Sequence, residues 1–251
     1  MQDIKRSVLG RLLEEISWEG KNVKRYREGG NGYENVLTTE VFQALDFLPR
    51  LSFLGEIING LEGSISNQLK TVFVKDIENA DFTLLPGNIY LRPSEDTHAD
   101  GIGVQPDGII ESSNVYCLLE AKRIKNGQFI PHQLAREFTI VTREAIGRQP
   151  LLMLVLGEEP PIRVTGHGRM SVKESILAYL APVLEQTENH PYNFEQMADM
   201  IDSSVAWITW DRINEIVKRQ FDSFKSDSPS TYSCINRLVT SMTDSIERHN
   251  R

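Results

Sequence analysis

Residues 104–123 read VQPDGIIESSNVYCLLEAKR, and this stretch decides the fold class. Two apolar runs, PDGII and VYCLLEA, flank the polar turn ESSN, a pattern that predicts a β-hairpin. The second run suits a protein core, yet it ends in Glu120 and Lys122, two residues apart. Because side chains alternate along a strand, these two charged groups point to one side and Ala121 points to the other. Pairing across the turn brings Asp107 close to both.

Two carboxylates, Asp107 and Glu120, and the amine of Lys122 therefore converge at the end of the predicted sheet. Adjacent carboxylates repel, and a hard divalent cation bound through oxygen relieves that repulsion. Mg²⁺ suits the arrangement because it keeps several waters on one or two carboxylates and leaves room for phosphate oxygens. A nearby lysine orients a water or stabilises charge on phosphorus. The alternative interpretation is a structural salt bridge at the edge of a hairpin.

Outward from the hairpin, helical and strand patterns alternate along the chain. The patterns predict helices over 5–17, 34–48, 52–70, 127–146, 171–186, 193–201, 211–225 and 231–247, and strands over 83–92, 104–110, 114–122, 150–157 and 204–210. We see no internal repeat and no linker long enough to force a second domain. Residues 1–251 are therefore expected to form a single α/β domain.

The net charge of the chain limits the classes of function to consider. Across 251 residues, the net charge is −8, and the pI is about 5.2. This balance argues against a protein that coats DNA through a basic surface. It does not exclude an enzyme whose acidic site recruits a divalent metal and whose basic groups are local.

The remaining composition indicates a cytoplasmic protein. No apolar run approaches the ~20 residues that a membrane helix requires, and the start of the chain has no signal-peptide apolar block. Two cysteines, Cys117 and Cys234, make neither a disulfide framework nor a zinc site. The five histidines are scattered without metal-ligand spacing, which argues against zinc.

The segments PDGII and LLEAK, with Pro106-Asp107 followed by Glu120-Ala121-Lys122, resemble the PD-(D/E)XK nuclease superfamily, which has the restriction-endonuclease-like fold. The resemblance implies a core of helix, three strands, helix and strand around a central mixed sheet. That order covers about 34–157, with helical additions at both ends of the chain.

The resemblance also implies roles for these residues. Asp107 and Glu120 would hold Mg²⁺, for which Mn²⁺ substitutes, with the main-chain carbonyl of Ala121 as a third ligand. Lys122 would position the attacking water or stabilise the pentavalent phosphorus.

Two further positions match features of some members. Many have a glutamate on the first core helix; Glu34 is favoured here because it aligns with the apolar face, and Glu40 is the alternative. Exonuclease-like members have a glutamine on the helix after the third strand, often followed four residues later by tyrosine. Gln133 matches the glutamine, but position 137 is glutamate.

The function expected from the sequence is a metal-dependent nuclease, and above all a DNA endonuclease of restriction, repair or phage-defence type. Its partner would be nucleic acid, DNA rather than RNA, and cleavage of both strands would favour a homodimer. One rival is a non-catalytic module on the same fold that binds nucleic acid or protein. A second rival is an interaction protein whose charged hairpin is structural.

Overall fold

The computed structural model describes residues 33–94, 102–188 and 190–250. Within them the fold is α/β, with a central mixed sheet flanked by helices, which confirms the α/β class and the mixed sheet expected from the sequence. The helix predicted over 5–17 lies outside the described residues. No helix in the described ranges combines the length and the apolar character needed to cross a bilayer.

The described part of the chain begins with three α-helices and five strands, and helices and strands are interspersed after them. They are α1 (Tyr33–Phe47), α2 (Leu54–Asn59), α3 (Asn67–Asp76), β1 (Asp81–Leu84), β2 (Ile89–Leu91), β3 (Ile102–Val104), β4 (Gly108–Glu111), β5 (Val115–Ala121), α4 (Gln133–Glu144), β6 (Gln149–Leu156), β7 (Ile162–Val164), β8 (Gly168–Met170), α5 (Val172–Gln186), α6 (Phe194–Ser204), β9 (Val205–Thr209), α7 (Trp210–Ser223) and α8 (Pro229–His249).

The main sheet has five strands in the order β1-β4-β5-β6-β9. The first three are antiparallel: β1 pairs with β4, and β4 pairs with β5. A tight turn joins β4 to β5, and in it the Ser112 hydroxyl accepts hydrogen bonds from the amides of Asn114 and Val115 at 3.3 and 3.0 Å. By contrast, β6 lies parallel to β5, since α4 carries the chain back across the sheet. β9 extends the parallel part. Two small antiparallel pairs, β2–β3 and β7–β8, lie apart from this sheet.

Strand β5 is buried over its whole length and separates two hydrophobic cores. Cys117 and Leu119 belong to the core formed with α1, α2, α7 and α8. Tyr116 and Leu118 belong to the core formed with α4, α5 and α6. Because the side chains alternate, Glu120 continues the second face and points toward α4.

Three predicted elements are divided in the structure. The helix predicted over 52–70 is two helices, because Gly63 adopts φ 116° and the Ser66 hydroxyl caps the start of α3 by accepting from the Leu69 amide at 3.1 Å. The strand predicted over 104–110 is also divided: Pro106 has no amide hydrogen to donate, and β3 pairs with β2 while β4 pairs with β5. The strand region predicted over 83–92 likewise contains β1 and β2.

Candidate active site

Asp107 lies at the hairpin's open end, immediately before β4. Gly108 pairs with Leu119, so continuing the register places Asp107 opposite Glu120 on the same face. The Asp107 amide donates to the Leu119 carbonyl at 3.1 Å, and its Oδ2 accepts from the Ala121 amide at 2.7 Å. Asp107 is only 6% exposed. Main-chain contacts therefore fix this carboxylate against the end of β5.

Glu120 and Lys122 form a buried ion pair beside it. Their exposures are 3% and 7%, and Lys122 Nζ lies 2.5 Å from Glu120 Oε1. The ammonium also lies 4.9 Å from the centroid of the Phe129 ring. Water has little access to these charges, so their electrostatic interactions are stronger than at an exposed site.

The main chain of Lys122 is held from two sides. Its amide donates to the Val155 carbonyl of β6 at 2.8 Å. Its carbonyl accepts a 2.7 Å hydrogen bond from Nε1 of Trp210, a fully buried residue at the start of α7. The position of the lysine thus depends on a strand and a helix distant in sequence.

Helix α4 places Gln133 over the ion pair. Gln133 Nε2 donates to Glu120 Oε1 at 2.5 Å, so that oxygen accepts from both Gln133 and Lys122. The other end of the amide, Oε1, accepts from the Ile130 amide at 3.4 Å, which orients the nitrogen toward Glu120. The structure therefore brings together Asp107, Glu120, Lys122 and Gln133.

Glu137, one turn further along α4, is a site residue that the sequence did not single out. It is 1% exposed, and its Oε2 has no hydrogen-bond partner. Burial raises the pKa of Glu137 well above its ordinary value, and the negative charges of Glu120 and Asp107 act in the same direction. Lys122 and a hydrogen bond from Gln133 lower the pKa without cancelling these effects. Glu137 therefore keeps its proton to higher pH than an exposed glutamate.

A sequence signal for Glu137 exists. Leu134, Phe138 and Val141 form the buried stripe of α4, and Glu137 falls within that stripe. It also lies four residues after Gln133, on the same face of the helix. A charged residue in a buried stripe next to a candidate site glutamine indicates a polar contact with the sheet.

The two glutamates of α1 are placed differently. α1 packs on the sheet face opposite to Glu120, through Leu37 and Val41. Position 34 lies within α1, but the side chain of Glu34 lies outside the described residues. The Glu40 side chain contacts α8, where the Ser245 hydroxyl donates to its Oε2. Glu40 is thus part of the packing between α1 and α8 and not of the cluster around Lys122.

The donor chemistry of the cluster fits a hard divalent cation. Among the described residues, no group of three or more histidine, cysteine, aspartate or glutamate side chains has a metal-site arrangement. Mg²⁺ does not require such a group, because it binds through one or two carboxylates and retains waters. Asp107 and Glu120 are two carboxylates of that kind in the cluster, and the Oε2 of Glu137, which has no hydrogen-bond partner, is a further buried oxygen.

Comparisons with protein-family models, with curated proteins and with solved structures give no match for this chain. The function must therefore be inferred from the arrangement of the residues themselves.

Proposed function

We propose that this protein is a metal-dependent nuclease of the PD-(D/E)XK type, which hydrolyses phosphodiester bonds in nucleic acid and acts as a DNA endonuclease of restriction, repair or phage-defence type. One observation carries the proposal: Asp107, Glu120, Lys122 and Gln133 meet, largely buried, at the open end of one hairpin. Cleavage of both DNA strands with one site per chain would use a homodimer.

The strand order supports the proposal. Helix α1, the antiparallel strands β1, β4 and β5, helix α4 and the parallel strand β6 follow the order of the restriction-endonuclease-like core. The β2–β3 pair is then an insertion between the first two core strands, and β9 is an addition at the edge. Fold alone does not imply function, so the argument depends on the cluster as well.

The electrostatic cost of the cluster also favours a functional site. A structural salt bridge would need only Glu120 and Lys122. Two further carboxyl groups, those of Asp107 and Glu137, are buried beside this pair, and each raises the cost of ionising its neighbours. A divalent cation offsets that cost. A hairpin that needed only a salt bridge would not require the two additional carboxyl groups.

Each residue has a distinct role in this proposal. Asp107, Glu120 and the Ala121 carbonyl would hold Mg²⁺ or Mn²⁺, which when bound activates a water and neutralises charge on the phosphate. Gln133 holds the Glu120 carboxylate in a fixed orientation through its 2.5 Å hydrogen bond. Lys122, with its main chain anchored, presents a positive charge to the attacking water or to the phosphorus as negative charge develops.

The test is cleavage of supercoiled, linear and single-stranded DNA and of RNA, in Mg²⁺, Mn²⁺ or EDTA. We expect cleavage with either metal and none in EDTA. Asp107→Asn and Glu120→Gln should abolish it, and Lys122→Met should slow it by at least ~10²-fold. The matched control is Glu111→Gln, at the other end of β4, where the carboxylate is exposed and pairs with Arg148. That variant should cleave as the wild type does.

If the folded protein cleaves none of these substrates with either metal, the proposal fails. Metal-independent binding of nucleic acid by such an inactive protein would instead support the non-catalytic module. Equal cleavage by the wild type and Glu120→Gln would also exclude the assigned site.

A further inference from the structure

A pocket that is open to solvent lies beside Lys122, and neither Asp107 nor Glu120 is among its lining residues. The loop after β5, the end of β6 and the β7–β8 hairpin form its walls. Its charged lining residues are Lys122, Arg123, Arg163, Arg169 and Glu158. Four of these residues are cationic and one is anionic, on a chain whose net charge is −8, and the ammonium of Lys122 is already paired with Glu120.

Main-chain contacts build this pocket. The Phe129 amide donates to the Arg163 carbonyl at 2.9 Å, and the Thr165 amide donates to the Phe129 carbonyl at 3.0 Å. On the opposite wall, a Cβ added at Gly157 would lie 1.9 Å from the Ile124 carbonyl oxygen, so the loop and the end of β6 approach as closely as only glycine allows. The hairpin is therefore attached to the same loop that carries Lys122 and Phe129.

The hairpin displays two arginines side by side. Arg163 and Arg169 are direct cross-strand partners, an arrangement in which like charges destabilise the pair. Both guanidinium groups contact Glu158, and both side chains are nearly half exposed, at 45% and 46%. The hydrogen bond from Arg169, and then the positive charge of Arg163, lower the pKa of Glu158. The single carboxylate of Glu158 neutralises only one of the two arginines. The pair therefore retains a positive charge that a second anion can neutralise.

We propose that Arg163 and Arg169 bind a backbone phosphate of the nucleic-acid substrate, next to the phosphate that is cleaved. Paired guanidinium groups match phosphate oxygens through parallel hydrogen bonds, which makes a phosphodiester the appropriate ligand. The inference rests on the proposed nuclease function for the identity of the substrate. In this inference, the β7–β8 hairpin positions the nucleic-acid strand next to Lys122, which lines the same pocket.

Binding measured in EDTA tests this inference in the absence of metal-dependent cleavage. The probes are a labelled duplex DNA, a single-stranded DNA and an RNA of one sequence, titrated by fluorescence anisotropy over a range of salt concentrations. For Arg163→Gln/Arg169→Gln we expect affinity at low salt to fall roughly tenfold or more. The slope of log Kd against log salt should fall by about 0.9 for the lost phosphate contact on a duplex.

The control double variant removes the same charge elsewhere. Lys173 and Arg212 are exposed and pair with Asp202 and Glu215. Neither lines the pocket. Lys173→Gln/Arg212→Gln should leave the slope unchanged.

Glu158→Gln supplies a test of opposite sign. It removes the carboxylate that competes for both arginines, so binding should become tighter. A merely structural network predicts weaker or unchanged binding for Glu158→Gln.

The inference is overturned if both double variants have the same slope, or if the wild type binds none of the three probes at low salt. These outcomes are separable from the nuclease proposal. If the wild type cleaves in Mg²⁺ but the double arginine variant binds as tightly as the wild type, the nuclease proposal stands and the phosphate subsite is excluded. If binding depends on the two arginines but no substrate is cleaved, the phosphate subsite stands and the nuclease proposal is excluded.

Discussion

Replacing Glu137 with glutamine should change how stability depends on pH. Burial, and then the charge of Glu120, raise the folded-state pKa of Glu137 above the ordinary value of 4.5. Between these two pKa values the folded protein binds a proton that the unfolded chain has released. The free energy of unfolding therefore falls as pH rises through this window, and the stabilisation is complete only below the unfolded pKa. Glutamine has nearly the same shape and does not titrate.

The size of the effect follows from one proton. The wild type should lose ~1.4 kcal/mol of stability per pH unit relative to Glu137→Gln, from about pH 4.5 up to the folded-state pKa, and nothing further above it. Added Mg²⁺ should narrow this pH window, because a cation near Glu120 favours the ionised form of Glu137 and so lowers its folded-state pKa. Magnesium should therefore stabilise the wild type most at the pH values where Glu137 is ionised.

Urea denaturation followed by circular dichroism at a series of pH values measures this difference. Thr139→Val is the matched control, since Thr139 is buried on the same helix, and its hydroxyl donates to the Ala135 carbonyl at 2.8 Å without titrating. Its curve should be offset from the wild type by a constant amount. If the curves of Glu137→Gln and wild type are also parallel from pH 4.5 upward, Glu137 has no raised pKa, and the electrostatic argument for the cluster is wrong.

Two further changes test how Lys122 and its loop are held. Trp210→Phe removes the indole donor to the Lys122 carbonyl, which should cost about 1–3 kcal/mol in urea denaturation; a change below about 0.5 kcal/mol would show that the contact contributes nothing. Gly157→Ala places a methyl group against the Ile124 carbonyl oxygen and should destabilise more than Gly147→Ala, where φ is 76° but nothing lies within 4 Å. Equal melting temperatures for the two alanine variants would contradict the close approach.

The charged hairpin end was predictable because its signals are local. The turn ESSN, the two apolar runs and the alternation of β5 lie within a short segment, and they placed Glu120 and Lys122 on one side. The strand boundaries were less accurate. A proline at position 106 ends β3 and separates it from β4, although the apolar pattern continues across it.

Other parts of the site depend on contacts between distant segments. Helical periodicity identified the buried face of α1, but it could not show that α8, more than two hundred residues later, contacts Glu40. Glu137 became a site residue only because α4 packs on the sheet face that presents Glu120. The β7–β8 hairpin was missed because strands of three residues are too short for alternation to be recognised.

Lys122 connects the two charged regions of the molecule. Its ammonium pairs with Glu120, and the same residue is one of those that line the arginine-containing pocket. A cluster of carboxylates on a chain of net charge −8 would repel a polyanion unless positive charge lay beside it. In the proposed binding mode, the arginines of the β7–β8 hairpin would supply that charge next to the cluster, so an overall basic surface would not be required. An acidic protein can therefore bind a phosphate backbone locally, and the strength of that binding should depend on the hairpin more than on the net charge.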